Sequence, residues 1–186
     1  MSFIGRMLRG VRAGEGGLLW NSDAARAAPA SIELVIDAFE GGTAIPRRHA
    51  GKGVGENISP PLAWKHIPRD TAELALVIED ADAPLPRPFV HTVVTAIPPE
   101  VTKIPEGVLV EGLEHPGVFG KATGGGRGYR GPKPVPSHGP HTYVFQVFAL
   151  AAPLRGARVS LSRGQLEKAM AGIVLARGRL DGTYER

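Results

Sequence analysis

The sequence contains no cysteine, few aromatic residues and no long apolar run, and each absence excludes a class of protein. Without cysteine there is no disulfide, no thiol nucleophile and no thiolate metal ligand, a composition that a reducing compartment permits. No apolar run approaches the roughly 20 residues of a membrane-spanning helix. The N-terminus also lacks the apolar stretch and cleavage site of a secretory signal peptide. We therefore expect a cytoplasmic protein.

Glycine and proline are abundant, at 25 and 17 of the 186 residues, which favours many turns and few long helices. A hydrophobic content of 42% is enough for one buried core at this length. The formal net charge of +4 arises entirely after Leu154 and falls short of the dense basic stripe of a nucleic-acid-binding protein. The composition therefore predicts one all-β domain that binds no nucleic acid.

Residues 1–30 differ from the rest of the chain. Apolar residues at helical spacing alternate with arginines over residues 1–12, and glycine- and alanine-rich stretches follow. This pattern predicts a short basic amphipathic helix and a linker, with the folded domain covering residues 31–186. The helix has two interpretations, a weak contact with an anionic membrane surface or a segment that folds back on the body or stays mobile.

The apolar period changes to two at Ser31 and predicts strands over residues 31–38, 57–64, 73–79, 89–97 and 142–150. One helix is predicted after Ser162, because Ser162 and Gln165 have the spacing of a capping box. An apolar stripe continues to Val174, and Gly178 is expected to end the helix. The arginines on either side of Gly178 would then suit the helix dipole.

A cluster of carboxylates directly follows the predicted 73–79 strand. It contains Asp80 and Asp82 and is closed by Pro84. Such a cluster can bind a metal ion, accept hydrogen bonds from an ammonium group, or orient a histidine. It is equally typical of a solvated turn.

His91 lies within the predicted 89–97 strand. Strict alternation places its side chain on the same face as Phe89, Val93 and Ile97. A histidine among apolar neighbours is either a core residue or, with a carboxylate close in space, a functional one.

A glycine-rich loop followed by prolines occupies residues 124–140. It lacks the phosphate-binding fingerprints of nucleotide folds, but it offers free backbone amides and a basic stretch suited to an anion pocket. The basic stretch runs from just before the loop into it and contains Lys121, Arg127, Arg130 and Lys133.

The last predicted strand opens with a second histidine. Alternation places His141 on one face with Tyr143 and Phe145, and imidazole and phenol groups can both donate hydrogen bonds to phosphate oxygens. Together with His138 and the carboxylate cluster, His141 also offers ligand types that are sufficient for zinc. Both interpretations remain open at this point.

Five motifs follow one another along the chain, namely NISPPLAW at 57–64, EDADAP at 79–84, FVHTVV at 89–94, YRGPKPVPSHGPHTYVFQVFAL at 129–150 and the closing GTYER. Taken in order, these motifs resemble the phosphatidylethanolamine-binding protein family, specifically its bacterial Raf-kinase-inhibitor-like branch, from about Ser31 to Arg186. Two positions depart from the family's usual pattern, since Ala81 stands where proline is common and Thr142 where arginine is common.

The resemblance implies an antiparallel β-sandwich with a few short peripheral helices and a small pocket at one end of the sheets. That pocket would hold phosphate or phosphorylethanolamine-type groups without a catalytic residue, a metal or a cofactor. Carried over by motif, the ligand-binding residues are Asp80, Asp82, Pro84, His91, His141 and Tyr143. The pocket wall would include Phe89, Pro132, Pro134 and Pro136.

The resemblance further implies a binding or regulatory protein that inhibits a kinase or a serine protease, and a homodimer. Its ligand would be a phosphorylated small molecule or a lipid headgroup. Hydrogen bonds donated by His91, His141 and Tyr143 would hold the phosphoryl group, so we expect affinity to fall as the pH rises through about 6 to 7. The alternative is a metal-dependent hydrolase built on Asp80, Asp82, His91, His138 and His141.

Overall fold

Eight strands form two antiparallel sheets in the computed structural model, which describes residues 2–154 and 160–186. Two short α-helices, α1 (Phe3–Met7) and α2 (Arg163–Ala169), flank the sheets. The strands are β1 (Glu33–Val35), β2 (Leu62–Lys65), β3 (Glu73–Asp80), β4 (Phe89–Ile97), β5 (Lys103–Ile104), β6 (Val118–Phe119), β7 (His141–Leu150) and β8 (Val174–Tyr184).

The smaller sheet has the strand order β1-β2-β5 and the larger one the order β6-β4-β3-β7-β8. Strand β3 lies at the centre of the larger sheet, and every residue in it is buried. Burial on both faces explains why the middle of this strand, residues 74–78, is a continuous apolar run instead of an alternation of apolar and polar residues. The predicted all-β sandwich with short helices is therefore confirmed.

The two sheets face each other across the main hydrophobic core. Leu34 and Trp64 of the smaller sheet belong to the same buried cluster as Leu76, Ile78 and Phe145 of the larger one. Asp80 continues the β3 alternation of Leu76 and Ile78, so this carboxylate lies at the end of the inter-sheet core.

The opposite face of the larger sheet is covered by α2 and by residues 18–25. A second buried cluster joins these covering elements to β3, β4 and β7, and includes Leu19, Ala25, Val77, Phe148, Leu166 and Met170. Leu18 and Leu19 are fully buried, and Ala13 and Gly14 donate backbone hydrogen bonds to Ala83 and Ala81. The structure thus packs part of the segment predicted as a linker, because its leucines bury apolar surface against the sheet.

A buried carboxylate on β3 holds both α2 and residues 18–25 against the larger sheet. Glu79 of β3 accepts hydrogen bonds from the Leu19 amide at 2.8 Å, the Gln146 side chain at 2.9 Å and Arg163 of α2 at 3.2 Å. Burial raises the pKa of Glu79 above its usual value, while these three hydrogen bonds act in the opposite direction.

The segment from Arg163 to Tyr184 corrects a prediction. The capping box of Ser162 and Gln165 is present, but α2 ends at Ala169, and a turn with Gly172 in the left-handed region leads directly into β8. Val174 and Gly178 therefore lie in a strand, where a helix was predicted. Gly178 is the residue at which the backbone carbonyl of Ile32 passes close to the strand, since a Cβ atom there would lie 2.6 Å from the Ile32 oxygen.

The other strands show a similar mixture of agreement and correction. The bounds of β4 are those predicted, and β3 and β7 differ from prediction by one residue. Residues 57–61 are not a strand, because Asn57 has a φ of 60° and two prolines follow it. Residues 31–38 contain only the short strand β1.

Two register shifts between β3 and β4 break the strict alternation on which the position of His91 was predicted. Ile78 pairs with Thr92 and Glu79 with Val90, so His91 is the extra residue of a bulge. As a consequence of the two shifts, Val93 and Ile97 do not lie on the same face of the sheet. Val93 packs in the second cluster, under α2 and residues 18–25, whereas Ile97 packs in the inter-sheet core.

We expect Gly178→Ala to lower the free energy of unfolding by roughly 1–3 kcal/mol, because the added methyl group overlaps the Ile32 backbone. Urea denaturation measures the change. The control is Gly164→Ala in α2, where a Cβ meets nothing within 4 Å and alanine favours the helix. Equal stabilities of the two variants would contradict the close approach of Ile32 and β8.

Candidate functional site

A cavity of about 670 Å³ opens at the end of the inter-sheet core, where β3 ends and β4 and β7 begin. Most of the predicted site residues line it together, namely Asp80, Pro84, Phe89, His91, Pro134, His141 and Tyr143. Three others, Asp82, Pro132 and Pro136, are not among its lining residues. The register of β3 and β7 accounts for the grouping, because it pairs Asp80 with Tyr143.

Asp82 supports the cavity from outside. Its Oδ2 atom accepts the Thr142 amide at 2.7 Å, and its Oδ1 atom lies 2.7 Å from the Arg12 guanidinium. Burial alone would raise the pKa of Asp82, but the hydrogen bonds from Arg12 and Thr142 outweigh burial and lower it. Asp82 therefore connects the start of β7 to the N-terminal segment.

Pro132 and Pro136 act through their backbone. The carbonyl of Pro132 accepts the Gly51 amide at 2.8 Å. The carbonyl of Pro136 lies where a side chain at Gly5 would otherwise project, so α1 approaches the proline loop closely. Only Pro134 of the three predicted wall prolines lines the cavity itself.

A chain of buried hydrogen bonds runs from the cavity to the N-terminal segment. Asp80 Oδ2 lies 2.8 Å from His141 Nδ1, and His141 Nε2 lies 2.7 Å from His138 Nδ1. His138 Nε2 in turn lies 2.7 Å from the carbonyl oxygen of Leu8. All three side chains are almost completely buried.

The chemistry of this chain determines how many hydrogens it holds. A carbonyl oxygen only accepts, so His138 Nε2 must carry a hydrogen. Three hydrogen bonds need three hydrogens, whereas two neutral imidazoles supply two. With every bond made, Asp80 and the two histidines together hold one further proton and have a net charge of zero.

Both nitrogens of His141 are used within this chain, which corrects the expectation that His141 donates to a ligand. Its Nδ1 atom is directed at Asp80 and its Nε2 atom at His138. Asp80 is similarly occupied, since its Oδ1 atom accepts the Asp82 amide at 2.8 Å. His141 therefore lines the cavity without a free ring nitrogen.

His91 is held in the cavity wall by one strong hydrogen bond. Its Nδ1 atom lies 2.6 Å from the carbonyl oxygen of Arg130, and its ring packs against Phe89 and edge-on to Tyr143. Burial lowers the pKa of His91 to about 4, although the nearby Asp80 charge acts in the opposite direction. The ring is therefore neutral near pH 7.

Asn57 positions the loop that holds His91, a role that its position in the NISPPLAW motif did not reveal. Its side chain donates to the carbonyl of Tyr129 at 3.1 Å and accepts the Gly131 amide at 2.9 Å. These two bonds fix the backbone on either side of Arg130. The available sequence signal was an asparagine shortly before a pair of prolines, since asparagine tolerates the left-handed backbone that Asn57 adopts, with a φ of 60°.

Tyr143 supplies a hydrogen-bond donor without a partner. Its hydroxyl oxygen is buried and has no partner at ordinary hydrogen-bond distance in the described ranges, 2–154 and 160–186. The Lys133 backbone amide acts on this oxygen as a donor, so the hydroxyl hydrogen itself has no acceptor. Burial and the Asp80 charge raise the pKa of the phenol, so it stays protonated. A buried donor of this kind costs stability unless a ligand or water satisfies it.

Basic side chains surround the cavity mouth. Lys52, Arg127, Arg130 and Lys133 contribute to its lining, whereas Asp80 is the only carboxylate among the lining residues that the structure describes. The Arg130 guanidinium lies 5.0 Å from the centre of the Phe89 ring. Lys121, also considered for this wall, lines a separate groove beside α2.

The residues proposed for a metal-dependent hydrolase do not form a metal site. No group of three or more histidine and carboxylate side chains able to hold a metal ion occurs in residues 2–154 and 160–186. Asp80, His141 and His138 direct their polar atoms at one another.

Across residues 2–154 and 160–186, no helix is long and apolar enough to cross a membrane.

We expect His91 to make folding stability depend on pH. Because its pKa is lowered from 6.5 to about 4 in the folded state, the contribution of the neutral ring is complete above pH 6.5 and is lost as the pH falls towards 4. His91→Gln should remove a loss of roughly 2 kcal/mol between about pH 7.5 and pH 5. Urea denaturation at both pH values measures it. His66→Gln, at an exposed histidine, is the control, and an unchanged pH dependence in His91→Gln would refute the prediction.

We expect His138→Ala to release the N-terminal segment, because the carbonyl of Leu8 loses its buried donor. Hydrogen exchange should show at least tenfold faster exchange of amides in residues 2–12. The amides of β3 report any global loss of stability, and His66→Ala is the control variant. Unchanged protection of residues 2–12 would show that the histidine chain does not hold the segment.

The family model described as phosphatidylethanolamine-binding protein matches residues 35–185. A UPF0098 protein of Methanothermobacter thermautotrophicus is 39% identical over 156 residues, which cover 83% of this chain and 99% of the relative. A UPF0098 protein of Pyrococcus horikoshii is 38% identical over 155 residues, or 82% of this chain and 76% of the relative.

Solved structures show the same relationship. A phosphatidylethanolamine-binding protein homologue from Chlamydia trachomatis superposes with a TM-score of 0.75 at 32% identity, over 84% of this chain and 99% of its own. YbcL of E. coli, described as a new member of the mammalian family, gives 0.77 at 27% identity with the same coverage. The chain belongs to the phosphatidylethanolamine-binding protein family.

Proposed function

We propose that the protein is a non-catalytic binding or regulatory protein whose cavity holds small phosphate-containing anions. The observation that carries this proposal is the unpartnered hydroxyl of Tyr143, buried in a cavity with a basic mouth. A protonated phenol that lacks an acceptor favours an oxygen-rich ligand.

The charge balance of the cavity supports an anion. The single carboxylate of the described lining, Asp80, is paired with His141 at 2.8 Å, whereas Lys52, Arg127, Arg130 and Lys133 face no carboxylate of their own in this lining. Some of this positive charge is already engaged, since Lys133 donates to the Lys52 carbonyl at 2.9 Å and Arg127 lies 3.5 Å from Glu111 at the surface. The cavity thus offers long-range attraction at its mouth and a directed donor inside.

This proposal differs from the expected mechanism in its donors. Tyr143 and the basic side chains replace the two histidines, because His141 is fully engaged and the hydrogen of His91 is bound to the Arg130 carbonyl. The pH dependence expected from histidine protonation between about pH 6 and 7 is therefore not part of it. Within the part of the chain that the structure describes, no metal-binding group of residues supports the hydrolase alternative.

The biological role is the less specific part of the proposal. A solved structure of similar fold, at 17% identity and a TM-score of 0.50, is a carboxypeptidase Y inhibitor in complex with its cognate proteinase. Inhibition of a kinase or a protease, a homodimer and a cytoplasmic location remain predictions. Membrane-surface contact through residues 1–12 also remains a prediction, and it is favoured by the exposed side chains of Phe3, Ile4 and Met7 on α1.

We expect Tyr143→Phe to weaken binding of inorganic phosphate and O-phosphorylethanolamine about tenfold, because one hydrogen bond to the anion is lost. The free energy of unfolding should stay equal or rise, since the substitution removes a buried donor without a partner. Calorimetric titration and urea denaturation measure the two effects.

The control is Tyr184→Phe in β8, which removes a phenol hydroxyl outside the cavity lining. Saturable binding to the wild type that Tyr143→Phe weakens and Tyr184→Phe leaves unchanged would support the anion site. No binding to the wild type, or equal binding by all three proteins, would refute it.

A further inference from the structure

The orientation of the His91 ring determines which kind of hydrogen-bonding group it presents to the cavity. The Arg130 carbonyl, 2.6 Å from Nδ1, can only accept, so the hydrogen of the neutral ring is on Nδ1. The Nε2 atom then carries a lone pair. The one hydrogen bond that His91 makes to residues 2–154 and 160–186 is the bond from Nδ1, so Nε2 has no partner among them, and the ring lines the cavity.

The surroundings keep the ring in this neutral form. The charged or titratable groups facing it are Asp80 of β3, His141 and Tyr143 of β7, and Arg130 of the loop. Asp80 favours a charged ring, whereas Arg130 and His141 oppose it, and burial has the largest effect. The protonated phenol of Tyr143 adds no charge.

The cavity therefore presents two complementary groups on adjacent rings. Tyr143 offers a hydroxyl hydrogen without an acceptor, His91 offers the lone pair of Nε2, and their ring centres lie 5.1 Å apart. An anion that satisfies both must accept at one oxygen and donate from another.

Resting on the proposed function, we propose that His91 selects anions that carry a hydrogen, so that the ligand is inorganic phosphate or a phosphate monoester in its singly protonated form. The P–OH group donates to His91 Nε2, and a second phosphate oxygen accepts from Tyr143. Sulfate has the same shape but no hydrogen near neutral pH. A phosphodiester, such as the headgroup of an intact phospholipid, likewise has none.

The discrimination follows from the cost of an unmade bond. Sulfate or a diester would leave the lone pair of Nε2 facing a negatively charged oxygen, and a buried polar group without its partner is costly. We expect at least a tenfold loss of affinity relative to the hydrogen-bearing analogue. The same reasoning predicts that a monoester binds more weakly above its second pKa of about 6, because it must then take up a proton.

Two matched pairs of anions test this selection by calorimetric titration. Inorganic phosphate is compared with sulfate, and O-phosphorylethanolamine, a monoester, with glycerophosphorylethanolamine, the corresponding lipid-headgroup diester. We expect the first member of each pair to bind at least tenfold more tightly near pH 7. Affinity for O-phosphorylethanolamine should fall between about pH 6 and 8, whereas that for inorganic phosphate, which keeps a hydrogen as the dianion, should change less.

The substitution His91→Gln tests the assignment to this residue. A glutamine amide can turn either its N–H or its C=O group to the cavity, so the preference for phosphate over sulfate should fall to near one. The control is His49→Gln, because His49 Nδ1 makes a similar bond to the Ile58 carbonyl at 2.8 Å but His49 lies outside the cavity lining. Circular dichroism checks that both variants are folded.

Nitrogen-15 spectra of the wild-type histidines provide a readout that needs no ligand. They should show His91 with a hydrogen on Nδ1 and none on Nε2 near pH 7. A hydrogen on Nε2, or equal affinities for phosphate and sulfate, would overturn the selection while leaving an anion site in place. Failure of all four anions to bind would overturn the proposed function and the selection with it.

Discussion

The structure around the cavity depends on one buried chain of hydrogen bonds, from Asp80 through His141 and His138 to the Leu8 carbonyl. This chain joins β3, β7, the proline loop and the N-terminal segment. Its three side chains, Asp80, His141 and His138, are buried, so the loss of any one leaves a neighbour unpaired at a cost of about 1–3 kcal/mol. The chain also removes His141 and Asp80 from ligand chemistry, which leaves His91 and Tyr143 as the directed polar groups of the cavity.

The N-terminal segment contributes to this arrangement although it precedes the part of the chain that matches the family. The family match begins at Val35, whereas the last acceptor of the histidine chain is the Leu8 carbonyl, and the partner of Asp82 is Arg12. The cavity wall is therefore supported by residues outside the common domain. The same segment continues into Leu18 and Leu19, which cover the opposite face of the larger sheet, Leu18 against Val144 and Leu19 against Val77 and Phe148.

Local patterns in the sequence predicted the central strands, because alternation depends on neighbours in the chain. Most of the cavity residues were predicted by the resemblance of the ordered motifs to the family. The local patterns wrongly predicted the start of β8 as part of a helix, because a glycine such as Gly178 commonly ends a helix. The actual reason for this glycine, the close approach of the Ile32 backbone, comes from a distant part of the sequence. Donor roles were also predicted for His91 and His141. Those roles depend on which atoms face each nitrogen, and the partners, Arg130 and His138 among them, are brought there by loops and a strand bulge.

No single segment of the chain forms the cavity, because its walls come from residues near positions 51–57, 80–91 and 127–143, which are far apart in the sequence. Its directed groups meet only after β3 has paired with both β4 and β7. A partly folded chain that lacks either pairing therefore has no binding site. Any ligand of the cavity binds the native state alone and shifts the folding equilibrium towards it by mass action. Occupancy of the cavity is in this sense a measure of complete folding.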